Sequence, residues 1–565
     1  MADDSLAGTI FQLTSENRAT LDAIREAMLD PSPRRIGRLD QWGLADEYEV
    51  FSEVGVYREA KIPVSDGTLI DAALSMPQGI AAGQACPVIV MPAPLIAVGW
   101  QAYQATFAKW ALGGYACLAY SQRGLSGSTG EIQVAGPLDW SDGTEVIDWV
   151  TQLDGVDADR IGCFGASYGA GTSMLIAAHD QRVKAVVGCS AWTDLFRSLF
   201  ENDTRHMAAF EALVTLFIED RCSPEFRGVI EKVRANAEPD DEVKEFAVTR
   251  SPRTYLGTYN DNALPMLLGT YWHETIFSSA AVVEFFNDLT SPKSLLIQVG
   301  DHGNGEMVGF QGLAAKPTDM GYRWMDHFLG GAAGNGEAPR FDIRSETMFN
   351  AGSDLRHATW ADYARPGVEF CLTGADDGGD GRLVEGTPET GWTTSRTAGE
   401  STQAIVAPAL VLTGVQERLG LPHSYATAQV DRAKAWVWNS AALTQARRIQ
   451  GELNLRITVT PSASAATIVA YLFEYNPNVL IRRANIITSA PYTILDATPG
   501  EPVTIEFGLA PADYPVQRGR QLQLVIDCAD PFFAGATDGA DGVTLEASSP
   551  EGAYSYISIP LVPQS

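Results

Sequence analysis

The chain has 565 residues, 45% of them apolar and 19% charged, with a formal net charge of -30. That length exceeds what one hydrophobic core can organise and implies two to four domains, while the composition excludes a disordered chain. A surface this acidic repels phosphate backbones and anionic lipid, so neither nucleic acid nor membrane is an expected partner.

Seven cysteines lie at wide spacings with no CxxC pair, which points away from a disulfide framework and from a zinc site, so no metal is expected. The first twenty residues carry acids where a secretory leader carries bases. The most apolar run, residues 87–100, is short and broken by prolines at 87, 92 and 94. A cytoplasmic chain is the expectation.

Residues 1–45 read as an N-terminal helical extension, with apolar residues at helical spacing in TLDAIREAML (20–29). From 46 to 76 the pattern is that of two strands, EVFSEVGVYREAKIPV and TLIDAALSMP, around a turn at Ser65, Asp66 and Gly67. Strands and helices then alternate. PVIVM (87–91), ACLAYS (116–121), RIGCFG (160–165) and VKAVVGCSAW (183–192) are buried strands, separated by the helices TFAKWALGGY (106–115), DWSDGTEVIDWVTQL (139–153) and SYGAGTSMLIAAHD (167–180). This alternation implies a parallel sheet covered on both faces. Residues 193–261 interrupt it with helical, acid- and aromatic-rich sequence, where a lid over an active site would sit. ALPMLLGTYW (263–272), SLLIQVG (294–300) and the helix YRWMDHFLGG (322–331) resume the pattern. From 336 onward, short strands between Gly, Pro, Asp and Ser turns read as an all-β sandwich. The expected division is therefore a core at 46–192 and 262–335, a lid at 193–261 and a sandwich at 336–565.

Gly165, Ala166, Ser167, Tyr168 and Gly169 match G-x-S-x-G. The pattern alone is common; a strand entering it and a helix leaving it make it specific. It marks the sharp turn of an α/β-hydrolase core, where the serine hydroxyl stands clear of the sheet at a helix N-terminus that favours a developing oxyanion. The flanking glycines leave strand and helix room to approach. Ser167 is the expected nucleophile.

A serine needs a base. Of seven histidines, His302 directly follows the strand SLLIQVG in the glycine-rich run Asp301, His302, Gly303, Asn304, Gly305. His327 lies inside a helix with Trp324 and Phe328 and reads as structural; His273 follows the preceding strand. The acid that orients the imidazole should follow the strand before the histidine strand. Glu274 is the carboxylate there, with Asp301 and Asp261 as the other candidates. The order Ser167, Glu274, His302 is the order this fold uses.

These residues resemble the cocaine-esterase and X-prolyl dipeptidyl-peptidase family of serine hydrolases. The resemblance runs from about residue 46 to the end. It rests on the IPVSDGTLIDAALSMP hairpin, the loop Gln122-Arg123-Gly124-Leu125-Ser126-Gly127-Ser128-Thr129-Gly130, and the GASYG elbow. Trp272-His273-Glu274-Thr275-Ile276-Phe277, the helix 322–331 and the segment 515–530 complete it. It implies an α/β-hydrolase core with a helical lid insertion and a C-terminal jelly-roll β-sandwich. It also implies no cofactor and a small-molecule ester or amide as substrate. A homo-oligomer is left open. Two departures stand out. The acid is Glu274 where the family usually has Asp. After the strand PVIVM the family has a Pro-Tyr pair whose hydroxyl helps hold the oxyanion, whereas this chain has Pro92, Ala93, Pro94 and Leu95. The expected oxyanion donors are the backbone N–H groups of Tyr168 and Leu95, since a proline has none to give; Tyr103, the other candidate, falls on the following helix.

The reading is a serine hydrolase that cleaves a carboxylic ester through an acyl-enzyme on Ser167, with His302 as base. An amidase or aminopeptidase (X-prolyl or α-amino acyl) on the same residues is one alternative. A binding protein with a degenerate hydrolase core is the other.

Overall fold

The computed structural model describes residues 15–79, 84–216, 219–235, 238, 240–330, 340–375, 379–479, 483–538 and 542–564. The first fourteen residues of the expected N-terminal extension lie outside them. Its remainder contains the helix α1 (Ser15–Leu29), which buries Ala23, Ile24, Ala27 and Met28.

The first sheet is built from β1 (Gly55–Pro63), β2 (Leu69–Pro77), β3 (Cys86–Pro92), β4 (Ala116–Tyr120), β5 (Val156–Ala166), β6 (Val183–Cys189), β7 (Met266–Tyr271), β8 (Lys293–Gln298), β9 (Ile343–Thr347) and β10 (Asn350–His357). Their spatial order is β1-β2-β4-β3-β5-β6-β7-β8-β9-β10. β3 to β9 run parallel to one another, while β1, β2 and β10 pair antiparallel at the edges. All seven residues of β3 are buried. Val88 and Val90 enter one apolar layer, and Ile89 and Met91 enter the other with Phe164, Trp110 and Trp324. This is the period-two alternation of a strand covered on both faces. Each such Val or Ile contributes roughly 1.5–3 kcal/mol by leaving water.

Between β6 and β7 the chain forms the helices Leu195–Leu199, Met207–Leu216, Pro224–Ala235, Asp241–Thr249 and Leu256–Asp261. Their apolar faces gather Phe210, Phe226, Val229 and Phe246 into one cluster with Tyr168, Trp192 and Phe277. The insertion therefore packs over the turn that carries Ser167. The C-terminal half is mostly strand. Its longest pair, Arg447–Pro461 against Val503–Val516, is antiparallel. Among the described residues no helix is long and apolar enough to cross a membrane.

Two expectations are corrected. Residues 46–54 do not open a strand: Ala45–Val54 is a helix that buries Tyr48 and Phe51 on one face, and β1 begins at Gly55. The first sheet also does not end at residue 335, because β9 pairs parallel with β8 and β10 pairs with β9. A domain border at 335/336 would cut this sheet.

Candidate active site

The turn between β5 and the helix α2 (Tyr168–His179) forces its residues into unusual conformations. Ser167 sits at φ 55°, ψ -125°, a region that costs a non-glycine residue about 1–3 kcal/mol. The turn is closed by the Ser167 N–H, which donates to the Cys189 carbonyl at 2.8 Å. A Cβ on Gly165 would lie 2.3 Å from the Gly169 backbone, and one on Gly169 would lie 2.1 Å from the Pro92 carbonyl oxygen. Both glycines are thus dictated by the close approach of α2 to β5 and β3.

His302 Nε2 lies 2.8 Å from Ser167 Oγ, and His302 Nδ1 lies 2.8 Å from Glu274 Oε1. The structure brings together the three residues expected from sequence. Both His302 and Glu274 are buried. Burial alone would lower the pKa of His302. The charge of Glu274 and its hydrogen bond outweigh that effect, and the pKa is raised. The Phe277 ring stands edge-on to the imidazole, with centroids 5.3 Å apart. Glu274 Oε1 also accepts from the Ile276 and Phe277 amides at 3.1 and 3.3 Å. Its Oε2 is buried and finds no partner among the described residues.

The other candidates are placed elsewhere. Asp301 accepts from the His302 N–H rather than from the ring, and Asp261 ends an exposed helix turn. His273 pairs with Glu417 at 2.7 Å. His327 stacks edge-on against Phe328. Tyr168 follows Ser167 at the start of α2, and its hydroxyl accepts from the Ala135 N–H at 2.8 Å. Leu95 lies in the loop after β3 and shares an apolar cluster with Tyr168. Tyr103 lies on the 3-10 helix Gly99–Thr106, fully buried; its hydroxyl donates to the Pro92 carbonyl at 2.9 Å and accepts from Ala166 N–H at 3.4 Å. It braces the turn from behind instead of facing a substrate.

Two pockets meet at the loop after β3, sharing Ile96. One is a cleft of about 820 Å³ with mixed lining, including Leu95, Trp100, Leu125, Thr215 and Arg221. The other is a mostly apolar pocket of about 350 Å³ between Leu21 and Ile24 of α1 and Met307, Phe310 and Leu313.

Three supporting groups surround these residues, and sequence reasoning had raised only Asp301 among them. Arg123 of the glycine-rich loop makes a buried two-pronged pair with Asp142 at 2.6 and 2.7 Å. Glu306 is buried four residues beyond His302; it accepts from Ser190 Oγ at 3.1 Å and from the Tyr271 hydroxyl, and burial raises its pKa. Asp301 Oδ1 accepts from the Thr275 and His302 amides, and Oδ2 from Thr275 Oγ1 and the Val411 amide. Burial, followed by the charge of Glu274, raises the Asp301 pKa. Only the Asp beside His302 carried a signal in the sequence, and it was ambiguous. No group of three or more metal-ligating side chains gathers among the described residues.

The fold and the chain order of these groups define a hydrolase of the α/β-hydrolase class. The chain belongs to the X-Pro dipeptidyl-peptidase (S15) family: the family model matches residues 66–304, and that of the X-Pro dipeptidyl-peptidase C-terminal non-catalytic domain matches 341–554. Among solved structures it is similar to an α-amino acid ester hydrolase (16% identity, TM-score 0.67, covering 90% of this chain and 96% of the other). It is also similar to an aminopeptidase from a marine sediment Thaumarchaeota archaeon (15% identity, TM-score 0.66, 90% and 97%). A CocE/NonD family hydrolase from Staphylococcus aureus is a third (13% identity, TM-score 0.64, 90% and 93%). Among curated proteins, the quorum-quenching protein AidA of Acinetobacter baumannii is 31% identical over 119 residues, 20% of this chain and 38% of that protein. An uncharacterized 31.7 kDa Escherichia coli protein is 35% identical over 82 residues, 14% of this chain and 29% of that protein. The chain thus matches less than two fifths of these curated relatives' length.

Proposed function

We propose that the protein hydrolyses a carboxylic ester through an acyl-enzyme on Ser167. The observation that carries this reading is the unbroken hydrogen-bonded chain Ser167–His302–Glu274 in a buried setting. Ser167 Oγ attacks the acyl carbonyl as His302 Nε2 takes its proton. Glu274 fixes the tautomer and stabilises the imidazolium. The oxyanion faces the backbone N–H groups of Tyr168 and Leu95. Collapse returns the proton to the leaving alkoxide, and water, activated by the same imidazole, releases the acid. Tyr103 is engaged by Pro92 and Ala166, so the oxyanion relies on backbone donors alone. An ester, with its more reactive carbonyl and better leaving group, asks less of such a site than an amide does.

The aminopeptidase among the similar structures keeps amide cleavage as the competing reading. The test is a fluorophosphonate probe with peptide mass spectrometry, beside Ser167→Ala. One adduct on Ser167, absent from the variant, is the expected result. An ester panel turned over faster than matched amides then supports the ester reading. Failure to label at millimolar probe would remove the nucleophile and the reading with it.

A further inference from the structure

The helix α3 (Asn304–Phe310) follows the histidine, and the helix α4 (Leu412–Arg418) comes from the C-terminal half. We propose that α4 and the residue before it are a positioning element for the histidine and its acid. The buried Asp301 carboxylate is the joint. This rests on the serine-hydrolase reading above.

The contacts fall on both sides of the two reacting groups. The Val411 N–H donates to Asp301 Oδ2 at 2.9 Å, and Asn304 Nδ2 donates to the Val411 carbonyl at 3.4 Å. Arg418 Nη1 donates to the Val299 carbonyl at 3.1 Å, and Glu417 Oε1 lies 2.7 Å from His273 Nδ1. The residues held are therefore 273 and 299, 301 and 304, which bracket Glu274 and His302. Asp301 draws the set together. Its Oδ1 takes the Thr275 and His302 amides at 2.8 and 2.7 Å, so the loop of the acid and the loop of the base hang on one oxygen. Its Oδ2 takes Thr275 Oγ1 at 2.7 Å and Val411.

Two further features show that the fit is tight. Val411 is a β-branched residue at φ 60°, ψ -45°, a conformation such residues avoid unless their surroundings impose it. The approach of α4 is also close enough that a Cβ on Gly414 would stand 2.1 Å from the Asp301 nitrogen and 2.4 Å from Asn304 Oδ1.

The test uses the full chain. Gly414→Ala wedges α4 away from Asp301 while favouring the helix itself. Asp301→Asn keeps an acceptor for the two amides, but sets an NH2 where Val411 and Thr275 donate. Val415→Ala, exposed on the same helix, is the control. The rate of fluorophosphonate labelling at Ser167 is measured well below the unfolding temperature of each variant. Both variants are expected to label about 10-fold or more slowly, in line with what a small displacement of a reacting group costs. The control is expected to match the wild type. In Asp301→Asn the acid limb of the pH–rate profile should also move to lower pH, because a negative charge that holds the proton on His302 is gone; Gly414→Ala should leave the limb in place. A purely structural joint would lower the unfolding temperature and leave the rates alone. Wild-type labelling rates in the folded variants would overturn the proposal, and either variant suffices if the other does not fold. A wild type that never labels would instead refute the serine-hydrolase reading itself.

Discussion

The Ser167 turn and the Glu274–His302 corner reach the same hydrogen-bonded chain by opposite routes. The turn is local. Ser167 owes its φ of 55° to five consecutive residues and to two glycines that let β5 and α2 touch. The corner is assembled from afar: Glu274 and His302 are 28 residues apart, and the carboxylate between them is tied to Val411. A local device stores its geometry in backbone strain. A distributed one stores it in buried hydrogen bonds, and each of those is a point where it can fail. The two should therefore break differently, the corner in its chemistry and the turn in its stability.

The largest effect is expected at the corner. Glu274→Gln retains a hydrogen-bond acceptor near His302 Nδ1 but loses the charge that stabilises the imidazolium. Ester turnover should fall by about 10³–10⁴-fold, with little change in unfolding temperature. The pH profile adds a sign. In the proposed mechanism His302 acts as base only when neutral, so kcat/KM should climb as pH rises through its pKa. Glu274 holds that pKa above the ordinary value of about 6.5. In Glu274→Gln the residual activity should climb at lower pH. An unchanged limb would mean that a group other than His302 governs it.

The turn comes next. In Gly169→Ala the new methyl meets the Pro92 carbonyl, a backbone atom that cannot swing aside. The expected cost is about 3 kcal/mol, the upper end for overpacking, read as a lower denaturation midpoint. Activity should fall with it, because the loop carrying Leu95 begins at that strand end. If Gly169→Ala were instead as stable as wild type, the glycine would answer to something other than the closeness of β3.

Legibility in the sequence follows the same divide. The turn and the order Ser167, Glu274, His302 could be read because each follows a strand end at a position that this fold prescribes. Asp301 was visible only as a neighbour of His302; its value comes from Thr275 and Val411, which no local pattern links to it. Tyr103 looked like a substitute oxyanion donor until its hydroxyl was seen to face Pro92 and Ala166. Residues 46–54 mix Val, Phe and Tyr with acids in a way that mimics a strand. Burial of Tyr48 and Phe51, three apart on one face, makes them helical, so packing overrides propensity there. β9 and β10 are the last two strands of the sheet, β9 with five residues and β10 at the edge with alternating exposure. Such strands look the same in sequence whichever sheet they join.

The smallest expected effect lies one residue from the corner and sharpens the idea that the C-terminal half supports it. His273 Nδ1 faces Glu417 at 2.7 Å and Nε2 faces the Ile487 carbonyl at 2.9 Å. Two acceptors call for two donors, which only the imidazolium supplies. Burial would lower its pKa, but the charge and hydrogen bond of Glu417, helped by the Ile487 carbonyl, raise it to about 9. The folded pKa therefore lies above the unfolded value of about 6.5. The stabilisation is complete below that unfolded value and is lost as pH rises through about 9. A charge-assisted hydrogen bond of this kind is worth about 1.5 kcal/mol. The wild type should lose roughly that much between about pH 6.5 and pH 9.5, measured as a falling urea midpoint. His273→Gln should start lower by a similar amount and change less across the window. Parallel curves for the two proteins would mean that His273 is neutral in the folded state. Its contact with Glu417 would then be an ordinary hydrogen bond, and the hold of α4 on the corner would not depend on the charge of His273.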